Sequence, residues 1–424
     1  MGAGTFRKGQ PERRPPGVWI GALGCFVLAA ATGVLFRYGM LAGLPAPLTL
    51  GNVRHAHSHL MYFGWVTPAL MALMAEHLTG RKTPEAMRWI PRIALLLGLL
   101  AYPPFLLLGY QPLEWVGRRL PLATMAAGLN ILVWYAYGGA YFAATHRIHH
   151  PSRPWWDLAV FFLLLSSLGA WGRAALAFIR GGDPFWSEAT VHFFLNLFAD
   201  GWLTPALIGL AGAVNPEGMQ RLPRWAWWAL LLGAPGTFLL TIPPAVTPLA
   251  LRIWGGISEG MVAAALLAIT WALLPHTGAE WRIPLAFLGL RALSGLAFAV
   301  PAIGAWALKQ ELRILYLHLL LLGFASLGLM AAAAQAWGTK AVPWLRAMQG
   351  AVLILLVTLI PLTGLWPSRW GGPWTIAGAW IGAMLPTLVA LGMLGQLLRP
   401  AKRASHRPLP HSPEPLRNFK GGKP

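Results

Sequence analysis

Residues 54–65 read RHAHSHLMYFGW, and the chain continues as VTPALMALM to residue 74. Three imidazoles, His55, His57 and His59, stand at alternate positions at the mouth of a run that is otherwise apolar. What that run is decides the fold. Similar runs recur through the 424 residues, of which 56% are hydrophobic and 11% charged, so apolar segments long enough to cross a bilayer dominate the chain. The sequence therefore describes an all-α polytopic membrane protein. Its 48 glycines and 36 prolines would be excessive in soluble helices, but neighbouring helices tolerate both inside a membrane, and 23 tryptophans suit interfacial belts.

The formal charge of +20 comes from basic residues scattered through the loops between apolar runs. That is the pattern of membrane topology, and a nucleic-acid partner is rejected. A single cysteine, Cys25, inside the first apolar run excludes an internal disulfide framework and a thiolate metal cluster within one chain. Apolar runs bounded by charge or by Pro/Gly clusters predict twelve spans, near 17–36, 55–76, 89–110, 120–144, 156–178, 186–212, 225–243, 249–274, 283–307, 314–337, 347–366 and 375–397. Arg7, Lys8, Arg13 and Arg14, then Arg81, Lys82, Arg88 and Arg92, alternate later loops and the tail hold most of the cations, which puts both termini in the cytoplasm. The organisation expected is a basic cytoplasmic N-terminus (1–16), a twelve-helix transmembrane domain (17–397) and a disordered basic cytoplasmic tail (398–424). No repeat of recognisable period emerges.

By this topology His77, His146, His149, His150, His276, His406 and His411 fall in solvated cytoplasmic loops or the tail. The other five histidines are informative. His55, His57 and His59 open the second span, His192 lies about two turns into the sixth, and His318 about one turn into the tenth. All three helices run inward, so at a rise of about 1.5 Å per residue the five imidazoles share one outer slab. Shared ligation of a metal or haem competes with separate interhelical hydrogen bonds as the reason. His55 and His59 lie on one helical face and His57 nearly opposite, so one site cannot use all three.

AHSHLMYFGWVTPAL (56–70) resembles the second helix of subunit I of the haem-copper oxidases. YLHLLLLG (316–323) resembles the tenth helix of that family, and VHFFLNLFADGW (191–202) the sixth, particularly in nitric-oxide reductase relatives. The resemblance implies a subunit I-like bundle with both ends cytoplasmic, and haem b held by His57 and His318. It places His192 where a copper or iron ligand belongs. It also departs from the family: Tyr316 replaces the histidine that binds the second haem, and RWAWWALLLGAPGTFLLTIPPAVTP (224–248) lacks the histidine pair that completes the gas-reducing site. A second haem, copper or iron therefore stays an open expectation. Phe63, Trp65 and Phe324 are expected around the macrocycle, Gly64 and Gly323 give it room or pack helices, and Arg54, Arg173, Arg252 or Arg313 would meet its propionates.

Glu188, His192, Asn196 and Asp200 recur every four residues as a polar ridge on the sixth helix. The ridge reads as a second metal site (His192 with His59 or His55, plus Glu188) extended by a proton path through Asn196 and Asp200. It reads equally as an ion pair of Asp200 with Arg291. Glu259, mid-way along the eighth span, is a proton carrier or a partner for Arg252.

The function expected is a haem-binding redox protein with a modified or degenerate gas-reducing site, an oxidoreductase of the oxygen or nitric-oxide reductase kind if it turns over. It would sit in the lipid bilayer of a bacterial inner (plasma) membrane, taking electrons from a cytochrome c or quinol and associating with additional membrane subunits. A metal or haem transporter and a non-catalytic haem sensor are the alternatives.

Overall fold

Leucine- and alanine-rich runs form helices because, in hydrocarbon, a helix satisfies every backbone polar group within itself. The computed structural model describes residues 15–79, 83–176 and 183–399. Most of the expected N-terminal segment and tail, with Arg81, Lys82, Arg180, His406 and His411, lies outside these residues.

The first half comprises α1 (Gly17–Ala42), α2 (Leu50–His59), α3 (Thr67–Thr79), α4 (Glu85–Leu108), a hairpin of β1 (Leu113–Trp115) and β2 (Arg118–Leu120), α5 (Leu122–Thr145) and α6 (Arg153–Leu176). Next come α7 (Pro184–Asn196), α8 (Thr204–Ala213), α9 (Pro216–Gln220), α10 (Arg224–Gly233) and α11 (Leu249–Leu273). The last part is α12 (Ala279–Phe298), α13 (Pro301–Lys309), α14 (Leu312–His318), α15 (Leu327–Trp337), α16 (Leu345–Leu359) and α17 (Pro373–Leu398). The protein is an all-α membrane protein. Among the described residues eight helical segments are long and apolar enough to cross a membrane, or nine if the bent pair α12–α13 is one span. The expected spans 55–76, 120–144 and 225–243 fall on helical stretches that are shorter or more polar than those eight.

One expected span is broken. The run 283–307 bends by 111° between Phe298 and Pro301. Pro301 has no N–H to continue the ladder and drives Val300 into an extended conformation, φ −77° and ψ 113°, so α12 ends there and α13 leaves at a steep angle. The expected 225–243 span likewise gives way after Gly233 to a tighter 3₁₀ stretch, Ala234–Leu240, which contains Pro235.

Three stretches of π-helix, each one residue wider per turn than an α-helix, connect α2 to α3, α7 to α8 and α14 to α15: π1 (Leu60–Val66), π2 (Leu197–Leu203) and π3 (Leu319–Ser326). All three open on a leucine and reach a glycine four residues later, Gly64, Gly201 and Gly323, followed by Trp65, Trp202 and Phe324. The three stretches share this local pattern without a regular spacing. The unit is short and its connections differ in length, so no fixed period exposes it. A side chain from the preceding outer helix packs on each glycine: Cys25 of α1 on Gly64, Phe162 of α6 on Gly201 and Phe287 of α12 on Gly323.

Downstream of the π stretches, α3, α8 and α15 pack against one another at the centre. The spans containing α8 and α15 are 78% and 67% buried, against 22% for α17, which makes them the inner helices. The outer helices wrap them, and α17 closes on α1. At π2 and π3 the widened turn frees carbonyls that hydroxyls partly recover: Thr204 donates to Ala199 O at 3.2 Å and Ser326 to Leu321 O at 2.9 Å. Ser326 Oγ also accepts from Trp65 Nε1 at 3.0 Å, tying π1 to π3. The tryptophans are not all interfacial, since Trp19, Trp65, Trp134, Trp156, Trp202 and Trp281 are fully buried.

Gly98 of α4 meets the backbone of π1, where an added Cβ would lie 2.7 Å from Phe63 C and O. Gly128 and Gly139 of α5 face open space. Gly98→Ala is expected to destabilise the protein by about 1–3 kcal/mol through overpacking. Gly128→Ala and Gly139→Ala should lie within about 0.5 kcal/mol of wild type, as measured by unfolding in detergent.

Candidate functional site

Upstream of the π stretches the inner helices carry the histidines. His57 turns towards α1, where its Nδ1 lies 2.7 Å from Ala29 O. A carbonyl only accepts, so Nδ1 carries the proton and the Nε2 lone pair is left over. The ring lies against Gly33, where an added Cβ would be 3.1 Å from Cε1 and 3.2 Å from Nδ1. His318 repeats the arrangement within its own helix, with Nδ1 2.8 Å from Ile314 O. Among the described residues neither Nε2 has a hydrogen-bond partner, and both side chains are only half-buried.

The two imidazoles lie within electrostatic reach of one another, and both are within reach of Arg37. Arg37 is buried near the end of α1, its Nη1 3.5 Å from Met40 Sδ. Ala29, Gly33 and Arg37 fall four residues apart, on one face of α1. Arg37 falls one residue beyond the first expected span, 17–36, which leaves it outside the bundle when the sequence is read alone. The four-residue stripe beneath it was the signal that could have found it.

The arginines expected to meet propionates lie elsewhere or are engaged. Arg252 donates to Pro301 O at 2.9 Å, Arg313 approaches His192 Nδ1 at 3.4 Å, and Arg54 and Arg173 lie near Tyr110. Phe63, Trp65 and Phe324 are packed core residues: Trp65 sits 5.3 Å from Trp19 and 5.1 Å from Phe26, ring to ring. Gly64 and Gly323 are filled by Cys25 and Phe287, so of the two roles expected for them the structure shows helix packing.

The other two histidines of α2 point away from His57, as helical geometry requires. His59 stacks on Phe105 with centroids 3.7 Å apart and shares a hydrogen bond of 3.1 Å between Nε2 and Tyr110 OH. His55 packs edge-on against Tyr110 at 4.8 Å. His192 lies with different neighbours: its Nε2 is 3.3 Å from Glu188, and Arg313 donates towards its Nδ1. Both its ring nitrogens are thus engaged. Among the described residues no three His, Cys, Asp or Glu side chains gather where a metal ion could be held. The structure does not bring His192 together with His55 or His59.

The polar ridge of α7 and π2 divides in two. Glu188 and His192 form its outer part, and Asn196 reaches Thr237 at 3.5 Å. Asp200 belongs to a buried cluster, Oδ2 lying 2.9 Å from Arg291 Nη2, while Arg291 Nη1 donates to Glu259 Oε1 at 2.8 Å. The ion pair with Arg291 is formed. Glu259 pairs with Arg291 and not with Arg252, because the guanidinium of Arg252 is held by the carbonyl at the α12–α13 break. Tyr316 lies over Arg291, its ring centroid 5.7 Å from Cζ.

Two histidines expected to be solvated are packed. His150 stacks on Trp156 at 5.1 Å, and His77 lies 6.4 Å from the same indole. No protein-family model matches the chain, and no curated protein matches it either.

Removing Arg291 would strand two carboxylates in the protein interior. Arg291→Met alone is expected to cost about 3–5 kcal/mol. Adding Asp200→Asn and Glu259→Gln should recover most of that loss, as read from unfolding in detergent.

Proposed function

We propose that the protein is an integral membrane electron-transfer protein that holds one haem b between His57 and His318, in a bundle like subunit I of the haem-copper oxidases. The observation that carries this reading is the matched state of the two imidazoles. On separate inner helices, each fixes its Nδ1 proton on a main-chain carbonyl and keeps Nε2 free, the state in which a histidine could ligate a haem iron. Twelve spans with both termini cytoplasmic belong to the same reading and put both rings in the outer part of the bilayer.

When bound, the haem supplies reversible one-electron storage. The chain's own residues do the rest. Ala29 O and Ile314 O set ring orientation and raise ligand basicity, Gly33 permits His57 to lie flat on α1, and Arg37 offers a cation for a propionate. Tyr316 stands over Arg291, and both nitrogens of His192 are engaged, so these positions favour electron transfer over gas reduction at a second metal. A cytochrome c or a quinol as donor, and an inner bacterial membrane as location, accompany the reading.

His57→Ala and His318→Ala are each expected to abolish the low-spin haem b absorption of the purified protein, whereas His192→Ala leaves it intact. Gly33→Val, which presses a branched side chain on the His57 ring, should lower haem occupancy while leaving the apoprotein folded. Retention of the low-spin band in either ligand variant would overturn the assignment.

A further inference from the structure

A cavity of about 130 Å³ lies on the far side of α14 from His318, with room for several water molecules. Its walls are largely apolar, and its polar residues include Asn196, Asp200, Thr237, Thr241, Glu259 and Tyr316. Behind that surface Arg291 bonds to both carboxylates, at 2.9 and 2.8 Å. One guanidinium facing two carboxylates leaves a negative charge over.

No other group on the cavity wall makes up the difference. Arg313, at the rim, is matched to Glu188 through His192. Tyr62 of π1 and Tyr316 of α14 present neutral hydroxyls, while α13 and the Ala234–Leu240 stretch contribute no ionisable side chain to the wall. A second sign is independent of the charge count. Asp200 is only 5% exposed, and its Oδ1 is buried without a hydrogen-bond partner among the described residues. An excess charge and an idle acceptor are both costly in a protein interior inside a membrane.

We propose that this cavity binds a single positive charge, a proton or an alkali cation, held by Asp200 Oδ1 and Glu259. The group is small because Arg291 already takes one oxygen of each carboxylate, leaving a short polar gap beside a space of only about 130 Å³. The site does not depend on the haem assignment. Gly295 of α12 makes it possible, since a Cβ there would collide with the Glu259 carboxylate.

The test uses the full chain in lipid nanodiscs, with Asp200→Asn and Glu259→Gln beside wild type. If the occupant is a proton, wild type shows the infrared band of a protonated carboxyl, which shifts in heavy water and is lost in one of the two variants. If it is an alkali ion, sodium or potassium chloride raises the melting temperature of wild type above that in choline chloride of equal ionic strength. The apparent affinity should then weaken at least tenfold in Asp200→Asn. Wild-type protein that shows neither the band nor a cation-dependent rise overturns the proposal, whether or not the variants fold.

Discussion

A polar group inside a bilayer has no water to fall back on, and most of this structure follows from that constraint. Most of the outer helices meet it by being regular and apolar. The inner ones are irregular, and several of those irregularities are matched by a local partner. The hydroxyls of Thr204 and Ser326 answer carbonyls freed by widened turns, and main-chain oxygens answer the Nδ1 protons of His57 and His318. Asp200 and Glu259 answer Arg291 through its two Nη atoms. Among the places where the matching is incomplete are the Nε2 atoms of His57 and His318 and the Oδ1 of Asp200, and there the molecule has chemistry to spare.

The three inner spans spend their polar positions differently. In α2 and α14 an imidazole turns out of the bundle core with one nitrogen available. In α7 the imidazole is closed off by an acid one turn earlier and by an arginine from α14, so it works as a bridge between charges. The interior below it is occupied by a charged cluster and a small cavity. The two faces of α14 thus serve two chemistries, with His318 on one and Tyr316 on the other, two residues apart.

Hydropathy made the helical class and most spans legible, because a run of twenty apolar residues leaves the backbone few options. The break before Pro301 was harder to see: proline is common in membrane helices, and only local geometry decides between a kink and a full turn. The opposition of His57 to His55 and His59 was legible from helical periodicity alone. Of the partners of His192, Glu188 was legible from the same periodicity, one turn earlier on α7, whereas Arg313 was not, because it comes from α14, whose rotation relative to α7 no periodicity fixes. Arg37 was hidden by a boundary error of a few residues, since α1 extends to Ala42 while the apolar run seemed to end near 36. Asp200 with Arg291 was readable as a pair. Glu259 as the third member required knowing that Arg252 was already occupied.

The widened turns at π1, π2 and π3 begin at the same place relative to leucine and glycine in all three inner spans. A turn of this width holds one more residue than its neighbours, so it rotates everything after it relative to everything before it. The faces that α3, α8 and α15 turn to one another are thereby offset in the same sense from the polar residues of α2, α7 and α14, and His59, Asn196 and His318 each stand just before that offset.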